Sequence, residues 1–190
     1  MAAHARPAAR PQRVPDIDLS PDDLRAVTAF NLACALLVID LFESVRPHDD
    51  RPRQALVAAE DFVRGGPRSR AQRITSPGAH RAAKEVTGAA FYAAMAAGDA
   101  AASAYLHPLA DPAQVGHILR APAHCVLAME TRVDEPLIRT DAVATVLERA
   151  TPRLVDVLCR YPRAATATGD RAIADVMTCL CSRLRSTVSR

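Results

Sequence analysis

The sequence predicts an all-α protein, an irregular or orthogonal bundle of seven or eight helices, on three observations. The 190 residues are 49% apolar, much of that Ala, with only 7 glycines, and long Ala-rich, Gly-poor stretches favour helix over sheet. Pro repeatedly follows a capping or acidic residue, as in Ser20-Pro21, Ser76-Pro77, Asp111-Pro112, Glu135-Pro136 and Thr151-Pro152, the order that opens a helix. No segment shows the period-two alternation of a strand, and no fixed-period solenoid repeat appears. Aromatics make up 4% and Trp is absent, so the core must be Leu, Val and Ala on closely approaching helices.

Residues 1–18 read as a mobile Pro/Ala/Arg-rich tail and 19–190 as a single helical domain. Ser20-Pro21-Asp22-Asp23 starts the first helix: Ser caps, Pro fits the first turn, and the acids complement the dipole. That helix runs to about Val45. Leu24, Val27, Leu32, Ile39 and Phe42 make it apolar on more than one face, as a central helix must be. A turn at 46–50 leads to a second helix starting near Asp50, with Pro52 in its first turn and an end at Gly65-Gly66. Residues 65–76 form a basic connector, and Ser76-Pro77 opens a third helix. The 77–106 stretch is one long helix or two meeting near Gly98-Asp99, and its small side chains allow close helix approach. Asp111-Pro112 opens the next helix, which Pro122 must kink or split. Asp134-Glu135-Pro136 and Thr151-Pro152 open two more. Residues 162–169 are a loop, and Asp170 caps a last helix with Ile173, Val176, Leu180 and Leu184 on one stripe.

Charge narrows the function classes. Of 24 basic residues, only Lys84 is Lys; the Arg, Ala and Pro bias is that of a GC-rich, actinobacterial sort of genome. The net charge of +3 is uneven. Residues 64–84 hold five Arg and Lys84 with no acid, while most of the chain is balanced. A local basic face is expected, but the overall excess argues against nucleic acid as the partner. The five cysteines are odd in number and sit in apolar helical patterns, as reduced, buried thiols of a cytoplasmic protein do. Residues 1–20 lack the apolar core of a secretory signal. The apolar run Leu32–Ile39 is far short of the ~20 residues a membrane span needs.

Several residues are capable of chemistry. Arg51 and Arg53 flank Pro52 at a helix start; they either contact an acidic partner or pair with Asp49, Asp50 or Glu60 and fix the turn. His80 and Lys84 share a helical face with Arg81 beside them. They form an exposed basic face, with an Arg81–Glu85 pair, unless burial lowers the lysine's pKa and makes it a base. Asp99 interrupts an Ala run between Tyr92 and Tyr105. If the helix breaks at Gly98, Asp99 is an N-cap, the plainer reading. If it continues, Asp99 is a buried carboxylate near Met95 and Ser103 that needs a Tyr, Arg or His partner and could act as a general acid or base. His117 and His124 are too far apart along a helix to chelate one metal and read as core or rim histidines. No phosphate loop, dinucleotide fingerprint, nucleophile elbow or metal-ligand spacing is present, so no cofactor and no metal are expected.

The run Asp49-Asp50-Arg51-Pro52-Arg53-Gln54-Ala55-Leu56-Val57-Ala58-Ala59, then Gly65-Gly66, then His80 and the Ala-rich run, resembles the helical immunity proteins of bacterial polymorphic toxin systems, the immunity-five-like domain. The resemblance spans about 25–131. Some relatives carry an exonuclease label, for which this chain has neither phosphate loop nor carboxylate cluster. The chain departs from the family where the later Ala-rich helix usually carries His and this chain reads Ser103-Ala104-Tyr105-Leu106-His107-Pro108, and by an insertion at 108–116. The resemblance implies a soluble, non-catalytic binding protein that occludes a toxin-like protein partner, with Arg51, Arg53, His80, Arg81 and Lys84 as contacts. The alternative is a helical small-molecule protein of specialised metabolism, enzyme or self-resistance binder. Its pocket would lie between the first helix and 77–106, with Tyr92, Asp99, Tyr105 and His107 as polar groups. The Ala-rich faces suit packing within a monomer and across a homodimer equally.

Overall fold

A computed structural model describes residues 16–163 and 170–187; residues 1–15, most of the expected tail, and 164–169, most of the expected last loop, lie outside them. Among the described residues the fold is all-α, with no strand and a single isolated bridge between Asp16 and Leu109. The helices are α1 (Pro21–Leu36), α2 (Ile39–Glu43), α3 (Arg51–Val63), α4 (Arg70–Ala83), α5 (Gly88–Ala102), α6 (Val115–Thr131), α7 (Arg139–Leu147), α8 (Pro152–Arg160) and α9 (Arg171–Ser186). Eight are long and α2 is a single short turn. None is long and apolar enough to cross a membrane.

α5 is the centre, packed against α1, α2, α3, α4 and α6. Its Ala93, Ala94, Ala96, Ala97, Ala100 and Ala101 are fully buried, the close approach that small side chains permit. The Ser20 capping box with Asp23 starts α1 as expected. Thr151 caps α8 and Asp170 caps α9, also as expected.

Five local expectations differ. The first helix does not run unbroken to Val45. It breaks at Leu37–Val38, where Val38 leaves helical geometry, and the reorientation buries Val38, Ile39 and Phe42 together. The third helix starts at Ser69, not Ser76. Ser69 Oγ accepts from the Ala71 N–H while Gln72 Oε1 accepts from the Ser69 N–H, so the reciprocal capping box overrides the Ser-Pro signal. Pro77 therefore lies inside α4 on its exposed side. The 77–106 stretch divides at Lys84–Thr87, before Gly88 with φ +63°, and α5 runs unbroken through Gly98-Asp99. The helix expected at Asp134–Pro136 begins only at Arg139, because the Leu137 N–H turns back to the Met129 carbonyl.

At Pro122 the split half of the kink-or-split expectation is absent, the fifth difference: α6 passes through the proline without splitting. Proline has no N–H for the carbonyl four residues earlier, here that of Ile118. Asn31 of α1 supplies the missing donor: its Nδ2 lies 3.1 Å from the Ile118 oxygen and 2.9 Å from that of Val27. A fully buried asparagine thus stands in for a missing backbone N–H and ties α1 to α6.

Candidate functional site

Asp99 is not an N-cap. Its side chain is only 5% exposed and lies between α4 and α6. His124 Nδ1 of α6 is 3.0 Å from Oδ2, His80 Nε2 of α4 is 3.4 Å from Oδ1, and Arg120 of α6 reaches Oδ1 at 3.7 Å. His124 is as buried as the carboxylate, whereas Arg120 is half exposed. The contacts are at ion-pair distance but poorly aligned as hydrogen bonds, leaving Asp99 Oδ2, His124 Nδ1 and His80 Nε2 without a well-directed partner. Burial pushes the Asp99 carboxyl up. His124 and then His80 outweigh it, and the group is held well below the usual carboxylate range.

Two glycines shape the site. A Cβ on Gly98 would stand 2.4 Å from His80 Cδ2 and 3.0 Å from the Ser76 carbonyl oxygen, so the missing side chain admits the imidazole over the α5 backbone. A Cβ on Gly116 would stand 2.6 Å from an Arg120 guanidinium nitrogen. His117, one turn before Arg120, is held below its usual pKa by burial first and then by Arg120 and His107. Tyr92 lies beyond His124, with ring centroids 6.1 Å apart, and burial raises its phenol.

The other members of the proposed polar quartet do not join Asp99. The Tyr105 hydroxyl donates to the Ser69 carbonyl at 2.7 Å, and the guanidiniums of Arg68 and Arg73 each lie over its ring, 5.3 Å from the centroid. His107 is exposed; its carbonyl accepts from the Tyr161 hydroxyl, and its N–H donates to Gln114. A cleft of about 780 Å³ lies elsewhere, between α7, α8 and α9, lined by Leu147, Val155, Cys159 and Leu184 among others.

The expected partner-binding residues separate into two groups. Arg51 is bound to Asp49 and Glu85, and Arg53 makes a two-pronged pair with Glu43 at 2.7 Å. Both fix the α2–α3 turn. Glu85 therefore belongs to Arg51, not Arg81, and His80 turns toward Asp99, away from the exposed basic face. Arg81 and Lys84 are exposed, with no ion pair among the described residues. No metal-capable cluster of His, Cys, Asp and Glu occurs among those residues. All five cysteines are free; Cys34, Cys125 and Cys181 are buried, but Cys159 is exposed, contrary to expectation. Burial pushes the Cys125 thiol up to about 12.

Two features were not anticipated. One is His124 as the close partner of Asp99, a contact of 25 residues' separation that no local motif signals. The other is a second buried carboxylate, Asp23, clamped by Arg153 and Arg160 of α8, each at 2.9 Å.

Residues 18–110 match the family model described as Imm-5 like putative immunity protein. The matched segment contains α1–α5 and ends before α6. No curated protein and no solved structure matches the chain.

Proposed function

We propose, from the premise that residues 18–110 belong to the Imm-5 like immunity family, that this protein is a non-catalytic immunity protein that neutralises a polypeptide toxin by covering it. The observation that carries the reading is the match itself, because it takes in five consecutive helices rather than a short motif. The packing suits surface binding. The interior of the matched segment is filled by Ala from α5, and the described cleft lies outside it. A rigid helical body with little to reorganise is suited to occlusion, since ordering costs are small. The small-molecule alternative gains the burial of Asp99, but none of Tyr92, Asp99, Tyr105 or His107 lines the cleft.

The test is native mass spectrometry of the tagged protein captured from its host's lysate. The expected result is a stoichiometric polypeptide that survives high salt, is toxic when expressed alone, and is silenced by co-expression. A bound mass of a few hundred daltons, lost in Asp99→Ala, would replace this reading with the small-molecule one.

A further inference from the structure

We infer that the outer face of α4 is the docking surface of this protein and that its partner presents an acidic, Asp/Glu-rich protein surface; the inference rests on the immunity reading and specifies its site. Arg70, Arg73, Ile74, Pro77, Arg81 and Lys84 are all exposed. At about 100° per residue they fall within one stripe roughly 100° wide and about 21 Å long. The opposite side of the helix carries the buried Gln72, Ser76, Ala79 and Ala83.

The charge on this stripe is uncompensated. Between Asp61 and Glu85 the sequence has no acid, and residues 1–15, 164–169 and 188–190 contain no Asp or Glu either. Among the described residues Arg68, Arg70, Arg73, Arg81 and Lys84 make no ion pair, whereas the neighbouring Arg51, Arg53 and Arg64 are each neutralised by a carboxylate. The four cations of the stripe, with Arg68 just before the helix, repel one another, and an anionic partner relieves that repulsion.

The face is also pre-ordered. Arg68 and Arg73 each lie over the Tyr105 ring, 5.3 Å from its centroid, which restricts their rotamers before any partner arrives. Gln72 Nε2 donates to the Ala58 carbonyl at 2.9 Å and anchors α4 on α3. Ile74, 54% exposed, and Pro77 place apolar area between the cations, which suits a protein surface.

The experiment uses the full chain and a quadruple variant, Arg70→Ala, Arg73→Ala, Arg81→Ala and Lys84→Ala. A charge-matched control carries Arg149→Ala, Arg163→Ala, Arg171→Ala and Arg183→Ala, all exposed positions elsewhere. Circular dichroism melts establish that each folds. The probe is fluorescent poly-L-glutamate of defined length, at low salt. The quadruple variant is expected to lose about tenfold or more in affinity, given four exposed charge contacts, while the control stays within about twofold. Equal loss in both would overturn the assignment to α4. Tighter binding of wild type to duplex DNA of the same charge would overturn the partner class. Lysate capture then separates this inference from the immunity reading. A polypeptide captured by wild type and lost in the α4 variant supports both. Capture undiminished in the variant overturns the docking face and leaves immunity standing. If wild type captures no polypeptide, the immunity reading fails, and the inference fails with it unless poly-L-glutamate binding shows the α4 dependence.

Discussion

Asp23 and Asp99 are two buried carboxylates of nearly equal exposure, 4% each, solved in different ways. At both, burial works to raise the carboxyl pKa and neighbouring groups more than cancel it. Asp23 has well-directed donors: the Ser20 N–H, Arg153 Nε and Arg160. Its arginines reach in from the surface, with side chains 51% and 30% exposed. Asp99 faces two imidazoles, one fully buried, at distances that suit ion pairs but without directed hydrogen bonds. Guanidiniums keep their charge at every accessible pH. Asp23 is therefore a permanent clamp between the start of α1 and α8. Asp99 is a central junction of α4, α5 and α6 whose neutralisation depends on how those helices sit.

The sharpest way to test that difference is to remove one partner from each. His124→Ala leaves a buried carboxylate with only His80 and the half-exposed Arg120, and it opens a void beside Tyr92. A loss of about 3 kcal/mol is expected, because an uncompensated buried charge and a cavity add. Urea denaturation at pH 7 measures it; a loss below that of any Asp23-partner variant would break the comparison.

Gly98→Ala tests whether His80 belongs at the junction. The added methyl cannot coexist with the imidazole at 2.4 Å, and the Ser76 carbonyl at 3.0 Å blocks an easy retreat. About 2 kcal/mol is expected to be lost through overpacking. The additional replacement His80→Ala should return part of it. Unchanged stability of Gly98→Ala would mean that α4 does not pack against α5 as described.

Asp23→Asn is expected to cost less, about 1–2 kcal/mol, since both arginines can return to water. Its pH signature follows from the direction of the shift. A folded-state pKa below the ordinary 3.8 gives stability that is complete above about pH 4 and lost as the pH falls through the folded value. Asp99 contributes with the same sign. Asp23→Asn should therefore flatten the acid side of the stability curve in part, and Asp99→Asn should flatten it further. His117 acts at higher pH. Its folded pKa is lowered from 6.5, so the unfolded chain binds the extra proton first and stability falls as pH drops below about 6.5. His117→Gln should remove that slope in thermal melts between pH 7 and 5, and Asp23→Asn should leave it intact.

The all-α class and most helix starts were legible because caps and prolines act within a few residues. Ser20, Thr151 and Asp170 each bond a backbone N–H of their own helix, and local sequence suffices to see it. Ser76-Pro77 misled because two competing starts lie seven residues apart, and the Ser69–Gln72 pair satisfies two groups where Ser76 would satisfy one. Pro122 was legible as a defect but not as a solved one, since its remedy, Asn31, comes from another helix. The same limit hid the candidate site. The need of Asp99 for a polar partner can be read from an acid within an Ala run. Its choice of His124 and His80 depends on helix packing, and the best local hint was a glycine beside it with no turn to make. The pairing of Arg51 with Asp49, two residues away, was legible in the turn, whereas its second partner Glu85 and the Arg53 partner Glu43 are remote in sequence.

The smallest expected effect is that of Arg153→Ala. The guanidinium is half exposed and donates to Asp23 Oδ1 and, more distantly, to Ser20 Oγ. Its removal leaves Asp23 with the Ser20 N–H and with Arg160, which also holds the Asp18 carbonyl and Asp156. Because the charge remains satisfied from two directions, the loss should be about 0.5 kcal/mol, near that of an ordinary surface ion pair. It should shrink further at high salt, where exposed charges are screened. The His124→Ala loss should change little over the same salt range, because that pair is buried. Arg153→Ala and His124→Ala measured by urea denaturation at low and high salt therefore distinguish a solvent-fed clamp from a sealed junction. If the Arg153→Ala loss rivals that of His124→Ala and resists salt, Asp23 too is sealed, and the two carboxylates are one kind of site.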